Sequence, residues 1–207
     1  INILMRIWNP TIATFTGISF KDFENNDRIT IFTEYAENKS LGHIIDLASK
    51  DSLPYNFIIT DWQIILIGVA YGMMFLHQNS IINGDLKPEN VLIDENYRPH
   101  LTDFGLTKKI DLQNSEKQTF CLGIIPYLAP EVIKFGRFDI KSDVYSFGIL
   151  MYEVISKKRA YSDIYGNANI KDPASHICQN VIEGNRPKFD DEIKINEGII
   201  KLIMDCW

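Results

Sequence analysis

The 207-residue chain has no surplus of positive charge, no paired cysteines and no long unbroken apolar run. Net charge is −6 and the pI is near 5.2, so no basic field favours a nucleic-acid backbone or an anionic membrane. The three cysteines, Cys121, Cys178 and Cys206, stand far apart without a C-x-x-C pair. That set reads as reduced thiols in a cytoplasmic protein, not as a disulfide frame or zinc site. Arg6 and Pro10 interrupt any signal-peptide pattern at the start. Residues 62–84 contain no Asp, Glu, Lys or Arg and include Gly68-x-x-x-Gly72, yet the unbroken apolar stretch, 64–76, is only 13 residues. A bilayer demands about 20, so a buried core helix is expected here and no membrane segment. Asn38-Lys39-Ser40 matches a glycosylation acceptor, which has meaning only on a secretory route.

Hydrophobic residues make up 45% and charged residues 23%, as in an ordinary globular domain. Residues 2–7 carry the apolar spacing of a helix's last turns, ended by Trp8-Asn9-Pro10, which implies that something precedes Ile1. Two strands are expected at 12–19 and 28–35, with a polar turn between them. Beyond a hinge-like 34–39 the pattern becomes helical. Thr60-x-x-Gln63 reads as a capping box opening a helix that is apolar nearly all round (Trp62, Ile65, Leu66, Val69, Met73, Leu76) and therefore expected to be central. A hairpin follows, 91–93 and 100–102. Further helices are expected at 143–155, from Asp172-Pro173 to Gly184, and from 196 to 207. This is a helix-dominated α+β arrangement preceded by a little sheet.

Polar residues embedded in apolar frames mark the chemistry. Within six residues, 85–90, one proline-containing loop offers Asp85, Lys87 and Asn90: a base, a cation and an amide ligand. The strand of the following hairpin delivers Asp103 just before Phe104-Gly105, so Asn90 and Asp103 could share one cation, and oxygen ligands of this kind suit magnesium. Each piece alone reads as turn or cap chemistry.

Together, Asp85-x-Lys87-x-x-Asn90, Asp103-Phe104-Gly105 and Ala129-Pro130-Glu131 resemble the eukaryotic-type protein kinase signature in order and spacing. The stretches 142–148 and 184–187 and the terminal Cys206-Trp207 are similar to the tyrosine-kinase-like branch. Leu86-Lys87-Pro88-Glu89-Asn90 is similar to its serine/threonine members. The resemblance implies a kinase-like fold, mostly the helical lobe (36–207), preceded by the end of the smaller lobe (1–35). It also implies ATP-dependent phosphorylation of serine or threonine in protein substrates, with ATP and magnesium as cofactors. Asp85 would accept or orient the hydroxyl proton, Lys87 would steady the phosphoryl group, and Asn90 and Asp103 would hold metal. Thr33 would be the gatekeeper, Glu34 and Ala36 would offer backbone bonds to adenine, and Leu92 would form its floor, supported by Leu41, Leu150 and Val154. Asp143 would grip the amides of Asn83 and Gly84.

The sequence also departs from that pattern. It contains no glycine-rich phosphate loop and no Val-Ala-Ile-Lys strand, and the glutamate that pairs with that lysine would fall just before Ile1. The arginine that pairs with Glu131 would lie beyond Trp207, with Arg186 as a substitute. The chain therefore reads as a fragment, inactive alone. Asn83 stands where a histidine is usual, amid Leu4, Phe15 and Phe104; Gly84 replaces an arginine and Ile124 a threonine. Without that arginine, phosphorylation of Ser115 or Thr119 loses its main anchor, since Lys108, Lys109 and Lys117 are flexible point charges. The alternative reading is a catalytically impaired kinase fold serving as a nucleotide- or protein-binding scaffold.

Overall fold

A computed structural model describes residues 7–53, 57–103, 108–109, 122–190 and 195–207. The expectations for Leu4, Phe104, Gly105, Ser115, Thr119, Lys117 and Cys121, and for the side chains of Lys108, Lys109 and Ile124, fall outside what is described.

Two strands, β1 (Phe15–Ser19) and β2 (Thr30–Thr33), form an antiparallel ribbon with an irregularity between Phe15 and Gly17. Both are shorter than the apolar patterns that flag them: β1 begins three residues after the expected 12, and β2 covers only the middle of the expected 28–35. Helix α1 (Leu41–Ala48) follows, capped by Ser40, whose hydroxyl accepts the His43 N–H at 3.3 Å.

Helix α2 (Ile59–Gln78) is 20 residues long. Its start differs from the Thr60-x-x-Gln63 expectation. Asp61 in the first turn accepts the Ile58 N–H at 2.9 Å, and its charge suits the helix's positive end. Nor is the helix buried all round. Trp62, Ile65, Val69, Gly72, Met73 and Leu76 form the buried stripe, while Ile59, Ile67, Tyr71 and Met74 are exposed. By length and composition α2 is apolar enough to cross a membrane, although the unbroken apolar run is shorter than the helix. Here its stripe packs on other elements. Gly68 and Gly72 explain the approach of the hairpin: a β-carbon on Gly68 would sit 2.4 Å from Pro99, and one on Gly72 would sit 2.7 Å from Leu101.

The short strand β3 (Ile81–Ile82) pairs with β6 (Lys108–Lys109), and β4 (Val91–Ile93) pairs with β5 (Pro99–Leu101) in the expected hairpin. A short helix α3 (Pro130–Phe135) ends at Gly136, φ 67°. Helix α4 (Ile140–Ser156) starts three residues before the expected point, because Asp139 caps it through the Ser142 N–H at 2.9 Å. Helices α5 (Ser162–Tyr165), α6 (Pro173–Ile182, capped by Asp172) and α7 (Glu197–Cys206, capped by Asn196) complete the described chain.

Burial divides into two clusters. One joins Ile12, α1, α2, Leu86, the hairpin and Leu150 and Val154 of α4. The other joins residues 125–132 with α4, α6 and Ile203 of α7. Helix α4 belongs to both, so it ties the hairpin side to the rest. At roughly 25 cal/mol per Å² of apolar surface, burying its Ile149 and Leu150 stabilises by a few kcal/mol.

Candidate active site

The loop between β3 and β4 is held from below by one carboxylate. Asp143, in the first turn of α4 and 1% exposed, accepts the Asn83 N–H at 2.8 Å and the Gly84 N–H at 2.9 Å, as expected from the resemblance. His77, near the end of α2, adds a contact that sequence reasoning missed: its Nε2 lies 2.8 Å from the same carboxylate. No local signal couples these two residues.

Above that anchor the loop folds on itself. Asn83 is buried and its side-chain oxygen accepts the Asp85 N–H at 3.0 Å. The oxygen of the amide that replaces histidine is thereby satisfied, and the bond tightens the turn. Gly84 sits at φ 74°, a left-handed conformation that costs an L side chain about 1–2 kcal/mol.

Asp85, Lys87 and Asn90 come together. The Lys87 ammonium donates to both Asp85 carboxylate oxygens, at 3.0 and 2.9 Å. The Asn90 amide donates to the Asp85 carbonyl at 2.9 Å and to its carboxylate at 2.8 Å. Both Asn90 hydrogens are thus engaged, and its oxygen is the atom available as a ligand. The 3-10 turn Pro88–Asn90 and the Asn90 N–H donated to Lys87 keep the loop compact.

The hairpin brings Asp103 alongside. Val91 pairs with Leu101, and the Thr102 N–H donates to the Asn90 carbonyl at 2.9 Å, so Asp103 is the next residue along from Asn90's partner. Asp103 is exposed and at φ 56°, where the chain turns out of line with β5.

Further along the hairpin, a cavity of about 200 Å³ is bordered by Glu34, Ala36, Leu92, Asp94 and His100, among others. Leu92 is half-buried on β4, and the supports expected for it, Leu41, Leu150 and Val154, lie in the cluster that also holds its neighbours Val91 and Ile93. Thr33 ends β2. The Glu34 side chain accepts the Thr14 N–H at 3.0 Å and lies 3.1 Å from His100 Nδ1, while the Glu34 N–H donates to the Thr14 carbonyl at 3.0 Å. Burial pushes the Asp94 carboxyl up, but the Arg98 amide, His100 and the Asn96 amide outweigh it and hold it below the usual range.

Arg186, the proposed substitute partner of Glu131, is committed elsewhere. Its guanidinium lies 5.2 Å from the Tyr145 ring centre and donates to the carbonyls of Val181 and Asn185.

The sequence matches the protein kinase domain family over residues 1–207, and the chain belongs to that family. It is 32% identical, over 99% of its length, to cysteine-rich receptor-like protein kinase 27 of Arabidopsis thaliana, covering 31% of that protein. It is 37% identical to LRR receptor-like serine/threonine-protein kinase ERL1 of Arabidopsis thaliana over 63% of this chain and 14% of the relative. For LRR receptor-like serine/threonine-protein kinase SIK1 of Oryza sativa subsp. japonica the figures are 38%, 63% and 13%. The chain spans less than a third of the length of these relatives.

Proposed function

We propose that this chain is the phosphate-transferring part of an ATP-dependent serine/threonine protein kinase in a signalling pathway, with residues 1–35 ending the smaller lobe and 36–207 belonging to the larger. The observation that carries this is the Asp85 carboxylate, held by Lys87 and Asn90 on a loop whose neighbouring hairpin leads, two residues past its last pair, to Asp103. Asp85 orients the substrate hydroxyl and takes its proton, and Lys87 steadies the charge of the moving phosphoryl group.

The Asn90 oxygen and the Asp103 carboxylate form an all-oxygen donor pair adjacent in the hairpin register, the type that fits magnesium. When bound, magnesium neutralises phosphate charge. Thr33, Glu34, Ala36 and Leu92 receive the adenine: the two hinge residues through backbone groups, Leu92 as an apolar floor. The substrate class is protein, read from the family. Because its relatives are receptor-like kinases, we assign this domain to the cytoplasm, with no nucleic-acid partner and no membrane segment of its own.

The scaffold reading draws on Asn83, Gly84 and Ile124 and on the closure of Lys87 over Asp85. Transfer of labelled phosphate by the full-length protein, followed by phosphoamino-acid analysis, separates the two. Label on serine and threonine, lost in Asp103→Asn, is expected. ATP binding without transfer would favour the scaffold.

A further inference from the structure

Arg159 lies in the turn after α4, far in sequence from the loop just described, yet it reaches that loop. Its guanidinium forks to three carboxylates on three elements. Nε lies 2.8 Å from Asp46 of α1, and Nη2 lies 3.3 Å from the same carboxylate. Nη1 lies 2.8 Å from Glu89, in the 3-10 turn of the loop, and 3.3 Å from Glu153 of α4. Glu153 is buried and also accepts from the Tyr127 hydroxyl and the Ala160 N–H, so the cluster is anchored on its inner side. Burial works against the charge on Arg159, but the three carboxylates outweigh it and hold the guanidinium firmly protonated.

Helix α1 leaves room at this junction. A β-carbon on Gly42 would stand 2.8 Å from Arg159 Nη2 and 2.9 Å from Glu89 Oε1. Any larger residue there would press on the pair where it meets. Glu89 is flanked by Pro88 and by Asn90, whose amide holds the Asp85 carboxylate.

We propose that Arg159 is a positioning residue for phosphoryl transfer: it clamps Glu89 to α1 and α4, and so fixes the turn through which Asn90 orients Asp85. The inference rests on the functional reading above. A lone exposed ion pair is worth little, but a planar fork joining three elements gives direction as well as charge. Phosphoryl transfer depends on such placement, where a displacement of about 1 Å can cost about a hundredfold in rate. Arg159 needs no contact with substrate to act in this way.

The test uses full-length protein carrying Glu89→Gln, Gly42→Ala or Arg159→Lys. Gly42 has no left-handed backbone, and the atoms an added methyl meets are the ends of flexible side chains, so Gly42→Ala keeps the fold while displacing the pair. Ile177→Val, which opens a small cavity in α6 of the other buried cluster and touches none of the Arg159 partners, controls for general destabilisation. Two readouts are taken: kcat with KM for ATP, and amide hydrogen exchange across residues 85–92. In all three variants, but not in Ile177→Val, kcat should fall at least fivefold with KM for ATP within twofold, and exchange in the loop should quicken at least fivefold. Unchanged exchange, or quickened exchange with unchanged kcat, would overturn the positioning role. A wild-type protein that transfers no phosphate would instead sink the functional reading, and the exchange result would still decide whether the clamp exists.

Discussion

Asp143 shows how much one side chain can organise. A carboxylate this buried is tolerable because three donors meet it, two of them backbone amides of the loop between β3 and β4. Asp143→Ala would strand the amides of Asn83 and Gly84 and should lower unfolding free energy by about 2–5 kcal/mol, measured by urea denaturation. A loss below about 1 kcal/mol would mean that water replaces the carboxylate freely. Gly84 makes a different point. It relaxes a left-handed turn but offers no side-chain donor to a phosphate. Phosphorylation between residues 105 and 129 should therefore be dispensable: Ser115→Ala, Thr119→Ala and phosphatase treatment should each leave kinase activity within about threefold. A tenfold loss, about 1.4 kcal/mol in barrier, would show that another cation serves as the anchor.

Elements add constraints that no single residue carries. The α2 surface is notched by Gly68 and Gly72 where Pro99 and Leu101 of β5 press in, and β5 leads to Asp103. Gly72→Val should overpack this contact, cost about 1–3 kcal/mol in stability and lower phosphate transfer by displacing the hairpin. Thermal unfolding and kinetics on the same variant check both effects, and an unchanged Tm would contradict the account. The hairpin and the Asp172-Pro173 helix start were legible in the sequence because turn and capping chemistry is local. The triplet Asp85, Lys87 and Asn90 was legible for the same reason: six residues in one loop. The exposed side of α2 was not, since a helix apolar all round does not reveal which face finds partners. The choice of Asp61 over Thr60 at its start rested on which group reached the free amide. Contacts such as His77 with Asp143, 66 residues apart, and Arg159 with Asp46, 113 apart, exist only once the helices have packed.

At the scale of the whole molecule, α4 joins the two buried clusters and carries both Asp143 and Glu153. Burial pushes the Glu153 carboxyl up from 4.5 to about 7, against the pull of the Ala160 amide, Arg159 and Tyr127. The folded chain then holds this proton more tightly than the unfolded one. The resulting stability is complete below about pH 4.5 and is lost as pH rises through about 7. Compared with Glu153→Gln, the wild type should lose up to about 1.4 kcal/mol per pH unit across that window, followed by chemical denaturation at several pH values. Parallel curves would contradict this. The central claim, that Asp85 and the residues gathered on it transfer phosphate, is tested most directly by kcat of full-length Asp85→Asn against wild type, with ATP affinity measured alongside. The account expects kcat to fall by about a hundredfold or more, in the range general-base catalysis supplies, with ATP affinity within about threefold. Equal rates in the two proteins would contradict it.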